Sequence, residues 1–385
     1  MVKPGSVAIV GAAELVSPQG VFPELSQLGL HAEAAIRAMK ETGLRPADID
    51  GVACAGASPT EVAWYLGITP KYVDGTAVGG CSFMIHVRHA VAAIESGLAR
   101  TILITHGESG KSGIGRGGFP GGRQSLNMQF EQWTGPMGPP TMFTVPVLRY
   151  MKKYGVSEEQ LAMVAVVQRE YAAKNPNAMM KDPITVEDVL NSPIVVSPLH
   201  IFEIVYPCDG AMAMIVSRAD DAKAITKTPV YVEGAGFYAD HLTMASAPAF
   251  RNGLVSPVKV SAEQAFKMAG ITPKDVDVLG IYDCYTIVVI MTLEDMGFCK
   301  KGEGGHFVQE HDLTFKGDLP VNTSGGQLSV GQPGDAGGMV NVIEVVRQLM
   351  GKAGERQIPD AEIGVTNSNG GLCMDTECTL VLRRG

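Results

Sequence analysis

Cys81 follows Gly79-Gly80 and opens the stretch CSFMIHVRHAVAAIESG, whose apolar spacing and closing glycine predict a helix. A thiol at a helix start faces unpaired backbone N–H groups and partial positive charge. Both favour the thiolate. A thiolate can accept an acyl group and so divide one difficult step into two easier ones. A cysteine under a helix can also be just a small apolar residue, but the Gly-Gly approach argues for a reactive role. His106, in THGES after the strand that follows this helix, is a candidate proton carrier. His86 and His89 lie on the helix itself and read as packing or capping residues. His200 could line a cavity, and His306 reads as surface. Asn322, Ser324, Gly325 and Gly326 form a small-residue turn, whose N–H groups could face an oxyanion or merely close the turn.

Two segments of the chain match each other and supply the elements around these residues. AAIRAMKETGLRPADIDGVACAG starts at Ala34, and EQAFKMAGITPKDVDVLGIYDC starts at Glu263. Each reads as a helix, a glycine, a Pro-x-Asp turn and an apolar strand, with the prolines of the two turns at 46 and 273. The Cys81 helix and its strand ARTILITHG match GDAGGMVNVIEVVRQLMG and AEIGVTNSNGG. The chain therefore reads as two α/β halves packed on each other: 1–107 with 206–227, and 228–385. Residues 108–205 interrupt the pattern and are rich in Gly, Pro and Met. They read as an inserted loop or lid region with one helix near Ser157 to Ala173. A run resembling a phosphate loop within it, at Gly113–Gly118, lacks a strand–loop–helix context.

The chain has 385 residues, 45% hydrophobic and 18% charged, with a formal net charge of -9. This is the composition of a protein with a large core. No apolar run is long enough to span a bilayer, and no secretory leader is legible at the N-terminus. No Lys/Arg-rich run accompanies the negative charge, so nucleic acid is not an expected partner. The seven cysteines are scattered, with no C-x-x-C pair. That suggests free thiols in the cytoplasm and no metal site formed by this chain alone.

VGGCSF, YPCDGAMAMIVS, IYDCYTIVVIMTLEDMGFCKKGEGG, LPVNTSGGQLSVGQPGDAGG and TNSNGG occur in that order along the chain. Together they resemble the thiolase superfamily, in its sterol-carrier-protein-type branch. The resemblance implies a five-layer αβαβα fold of two duplicated halves, a homodimer, and Cys81 as nucleophile. It also exposes three departures. Tyr282 stands where thiolases have Asn or His, Gln332 where they have the base histidine of a Gly-His-Pro loop, and Asn367 where they have a second cysteine. Gln332 cannot take a proton at neutral pH but can donate to an oxyanion. Cys284 and Cys373 could replace the missing thiol. Ser324, Gly325, Gly326, Gly370 and Gly371 would line the coenzyme A or substrate site.

The expected activity is that of an acyl-CoA thiolase acting on a bulky β-ketoacyl-CoA, with 2-benzoylsuccinyl-CoA as the leading substrate. Methionines in the insertion suit an adaptable apolar wall, and Arg116 and Arg123 could hold a second carboxylate or the coenzyme's phosphates. Coenzyme A enters as substrate or product, with no permanently bound cofactor. Relatives of this branch pair with a small zinc-ribbon/OB-fold subunit, so zinc is expected only there. Two alternatives stand beside this reading. One is a retro-aldolase of the steroid-degradation type, relying on Tyr282. The other is a non-catalytic carrier of acyl-CoA or lipid.

Overall fold

Val7–Leu15 forms strand β1 and is apolar on both sides. Val7 and Ile9 join one buried cluster, Ala8 and Val10 another, so the strand is covered on both faces. The computed structural model describes residues 3–113, 129, 133, 135, 139–240, 254–371 and 373–385. Arg116 and Arg123 lie outside them. The other strands are β2 (Gly51–Cys54), β3 (Tyr72–Asp74), β4 (Thr101–Ser109), β5 (Ile194–Val196), β6 (Leu199–His200), β7 (Asp209–Arg218), β8 (Val230–Ala239), β9 (Val278–Ile281), β10 (Ile363–Gly370) and β11 (Thr376–Arg384).

Nine of these strands run in the order β3-β2-β4-β7-β1-β8-β11-β10-β9, and the duplication is visible in their pairing. β2 lies parallel to β4 as β9 lies parallel to β10. β7 is antiparallel to β4 and β1, as β11 is to β10 and β8. β3 beside β2 has its counterpart in a single parallel bridge between Leu279 and Val321. The halves join edge to edge where Ala8 faces Tyr231 and Ile9 faces Val230.

The helices are α1 (Gln27–Thr42), α2 (Pro59–Leu66), α3 (Ser82–Glu95), α4 (Pro139–Tyr154), α5 (Glu158–Ala172), α6 (Val186–Leu190), α7 (Ala219–Ile225), α8 (Val258–Ala269), α9 (Thr286–Asp295), α10 (Gly304–Glu310), α11 (Gly326–Val330) and α12 (Val340–Leu349). α3 and α12 share the central cluster with strands of both halves. α1 covers the first half from outside, α8 and α9 the second. The result is five layers, helix–sheet–helix–sheet–helix. α3 and α12 are buried on nearly every side, which requires side chains that are apolar or fully paired. Glu344 on α12 meets that demand through two bonds from Arg356, at 2.9 and 3.1 Å, and one from Thr323. No described helix is long and apolar enough to cross a membrane.

The insertion contains more regular structure than its composition suggests. α5 matches the expected helix, with Ser157 and Gln160 forming a capping box. α4 was not expected, because Pro139, Pro140 and Pro146 read as loop. Two of these prolines sit in the first turn, where no N–H is needed. The third, Pro146, is tolerated because packing holds the helix: Phe143, Val147 and Tyr150 line one face at helical spacing, within the outer cluster of the second half. Tyr150 also donates to Glu294 on α9.

His31 and His86 are wholly buried. Burial lowers both pKa values, that of His86 to about 4. The folded protein therefore refuses a proton that the unfolded chain accepts below about pH 6.5. Stability should be complete above that pH and fall as pH drops towards 4, with His86 alone contributing on the order of 3 kcal/mol. Urea midpoints measured between pH 7 and 4.5 should fall more steeply for the wild type than for His86→Gln. Parallel pH dependences would contradict this.

Candidate active site

Cys81 is the N-cap residue of α3 and is completely buried. The turn before it is tied by Ser82, whose hydroxyl donates to the Gly79 carbonyl and accepts from the Val78 N–H. Three backbones converge there. A Cβ on Gly370 would lie 2.9 Å from the Cys81 sulfur, and one on Gly338 would lie 1.8 Å from the Gly80 carbonyl oxygen. Gly338 belongs to the turn Gly334–Met339 that leads into α12. The starts of the two central helices thus meet at the thiol, and glycine is what lets them touch.

The thiol is not activated in this resting geometry. Burial pushes its pKa well above the ordinary value, and Cys378, Glu377 and Asp375 nearby push it the same way. The expectation of a lowered pKa is corrected on this point. Desolvation of a fully enclosed sulfur outweighs the partial charge of the helix N-terminus.

Tyr282 closes the other side of the thiol turn, since a Cβ on Gly80 would lie 2.3 Å from its ring. Its phenol oxygen accepts a hydrogen bond from Gln332 Nε2 at 2.6 Å. Burial raises the phenol's pKa far above the usual range, so Tyr282 keeps its proton and can donate a hydrogen bond. The Gln332 amide is therefore hydrogen-bonded to the phenol. Asp283, which the sequence reading overlooked, anchors the Tyr282 loop. Its carboxylate accepts from the backbone N–H groups of Gln327 and Leu328 and from Asn341 Nδ2. Even so, burial lifts its pKa to about 6. The signal was an aspartate inside an apolar run, which can persist only with such donors.

The turn of Ser324, Gly325 and Gly326 lies behind Asp283. Its N–H groups are engaged within the turn, Gly325 to the Asn322 carbonyl and Gly326 to the Ser324 hydroxyl. Asn322 Oδ1 accepts from Ile281 N–H at 2.7 Å. These contacts give the turn a structural task.

Strand alternation sorts the remaining candidates. On β10, Thr366 reaches Met84 and Ser368 donates to the Gly338 carbonyl, both on the central face. Asn367 takes the opposite face and donates to the Cys378 carbonyl and Thr379 Oγ1. It thus turns away from Cys81. Cys284 and Cys373 lie with Tyr282 in the outer cluster of the second half, and Cys81 shares the central cluster with Cys378. Cys378, on β11, is thus a thiol on the Cys81 side and helps raise the Cys81 pKa. Gly370 and Gly371 do close on the site, Gly371 by donating to the Val78 carbonyl.

The structure gives most of the histidines partners of their own. His106 is buried under the Phe83 ring, with centroids 4.8 Å apart, and its Nε2 lies 2.7 Å from Glu108 Oε1. Phe83 stands two residues beyond Cys81 on α3. His89 pairs with Asp74 at 2.7 Å, and His200 Nδ1 contacts the Ser192 carbonyl at the same distance. His306 is exposed. Among the described residues no three His, Cys, Asp or Glu side chains cluster to hold a metal.

Residues 236–384 match the family described as "Thiolase C-terminal domain-like". An acetyl-CoA acetyltransferase of Methanothermobacter thermautotrophicus is 32% identical over 95% of this chain and 96% of its own. Benzoylsuccinyl-CoA thiolase subunit BbsB of Thauera aromatica is 31% identical over 58% of each chain. A solved structure titled "Ltp2-ChsH2(DUF35) aldolase" superposes with a TM-score of 0.89 at 28% identity, covering 99% of this chain and 98% of that one. The chain belongs to the thiolase superfamily, in its sterol-carrier-protein-type branch.

Gly338→Ala should prise the α12 turn from the Cys81 turn. It should cost about 1–3 kcal/mol as an overpacked contact and expose Cys81 to iodoacetamide, which mass spectrometry can follow. Labelling and melting temperature both equal to wild type would contradict the reading of this contact.

Proposed function

We propose that this member of the thiolase superfamily carries out thiolase-type acyl transfer on a bulky β-ketoacyl-CoA through Cys81. The observation that carries the reading is the Cys81 thiol at the start of α3, enclosed with a protonated Tyr282. In this reaction the sulfur bonds to the keto carbon and the carbon–carbon bond breaks. The electron pair stays on the carbon beside the CoA thioester. That carbon needs one proton, and the thiol has one to lose, so the step balances with Tyr282 as the relay. Coenzyme A then takes the acyl group from the enzyme. The match to the benzoylsuccinyl-CoA thiolase subunit supports a large, partly aromatic acyl group.

A second reading is a retro-aldol cleavage in which Tyr282, oriented by Gln332, does the proton transfer and Cys81 is not needed. The likeness to the Ltp2-ChsH2 aldolase and the short Tyr282–Gln332 bond favour it. The DUF35 component of that aldolase supports a partner subunit for this chain, which we take to be the expected small zinc-ribbon/OB-fold protein. A homodimer is supported by β3, an edge strand with Val73 exposed and Trp64 and Tyr65 exposed on the adjacent α2. A cytoplasmic location accords with seven cysteines that are all free.

Intact-mass analysis after incubation with an acyl-CoA tests the two readings. Acyl transfer requires an adduct in the wild type that is lost in Cys81→Ala. Retro-aldol cleavage requires turnover that survives Cys81→Ala and is abolished by Tyr282→Phe. With the partner subunit added, kcat/KM should be higher for 2-benzoylsuccinyl-CoA than for acetoacetyl-CoA. Preference for the smaller substrate would exclude the bulky acyl group.

A further inference from the structure

Glu108 stands two residues beyond His106, at the end of β4, and reaches across to the loop that carries Gln332. Its Oε1 accepts the Asp335 N–H at 3.2 Å. Its Oε2 occupies the space beside Gly334, where a Cβ would come within 1.8 Å. Gly334 also has a φ of +55°, so both the carboxylate and the backbone demand glycine there. On the other side, Oε1 lies 2.7 Å from His106 Nε2, and His106 packs against Phe83 of α3, two residues beyond Cys81. One carboxylate thus bridges the helix that begins at the thiol and the loop that carries the amide.

The consequence runs through the backbone of residue 332. The Gln332 carbonyl accepts from Gly334 N–H at 3.0 Å and from Cys208 N–H at 3.0 Å, and its N–H donates to the Tyr206 carbonyl at 2.8 Å. With its backbone so held, its side chain meets the Tyr282 phenol at 2.6 Å, and the Tyr282 ring lies against Gly80. Glu108 Oε1 thus lies between His106 Nε2 and the Asp335 N–H.

We propose that Glu108 is a positioning residue of this site: His106 fixes its carboxylate, the carboxylate fixes residues 334 and 335, and Gln332 is thereby presented to the Tyr282 phenol. The proposal rests on the acyl-CoA reading only for its kinetic consequence. Neither Glu108 nor His106 needs to touch substrate. A misplacement of about 1 Å at a reacting group can cost roughly 10²-fold in rate, so a residue acting only through Gln332 can still be decisive.

The test places 3-fluorotyrosine at position 282 of the full chain and records its ¹⁹F resonance without ligand. Gln332→Ala should shift the resonance, and Glu108→Ala should shift it in the same direction. The double variant should shift no further than Gln332→Ala. Glu108→Gln keeps an acceptor for the Asp335 N–H but removes the carboxylate's charge beside His106, so its shift should be intermediate. It also carries the test if Glu108→Ala does not fold. A resonance that moves in Gln332→Ala but stays at the wild-type position in the Glu108 variants overturns the proposal. In turnover assays on any acyl-CoA the wild type accepts, Glu108→Ala should lower kcat roughly 10²-fold with KM nearly unchanged. The double variant should be no slower than Gln332→Ala, because the two residues act as a unit. Losses that multiply would overturn it equally. A wild type inactive on every acyl-CoA would sink the functional reading, while the resonance would still decide the role of Glu108.

Discussion

The close contact of Gly80 with Gly338 is the constraint on which the rest of the site depends. Two central helices, one from each half, can bring their starts together only if neither backbone carries a Cβ at the point of contact. Gly370 meets the same demand at the third approach, against the Cys81 sulfur. The thiol lies where these backbones converge, so its position is set by main chain from both halves rather than by one flexible loop. Small displacements of either helix would be felt there, since a close-packed interior passes strain on.

The same closeness makes the site dry, and dryness governs its electrostatics. Cys81 and Tyr282 both hold their protons because burial disfavours their charged forms. Glu377, buried on β11, is pushed well above the carboxylate range for the same reason. Candidate groups that rest without charge suit the proposed chemistry, in which a proton moves only once substrate has bound. Dryness also explains why the helix N-terminus does not decide the state of the thiol. A partial charge at close range is a weaker influence than the loss of all solvent.

The insertion contributes to the second half as core, not as a loose cover. α4 and α5 pack Tyr150, Tyr171 and Leu161 into the cluster that contains Tyr282, Cys284 and Tyr285. The loop that presents the phenol therefore leans on the insertion, and Gly325, behind Asp283, packs against Ala172 at the end of α5. Placement of the phenol is thus coupled to the insertion through one apolar cluster.

By itself the sequence determined the duplication, the strand and helix types around Cys81, and the family. These are local properties: apolar periodicity, glycine at helix ends, and motifs that keep their order along the chain. α4 escaped because propensity disfavours proline in helices, while tertiary packing of Phe143, Val147 and Tyr150 overrode it. The partners of each functional side chain were decided only by the tertiary structure. Asn367 and Ser368 are neighbours in sequence, yet one pleat sends them to opposite faces of β10. Tyr282 and Gln332 are 50 residues apart and meet at 2.6 Å. The state of the Cys81 thiol also depends on enclosure by Gly338 and Gly370. No stretch of sequence around residue 81 contains that information, because desolvation is a property of everything that surrounds an atom.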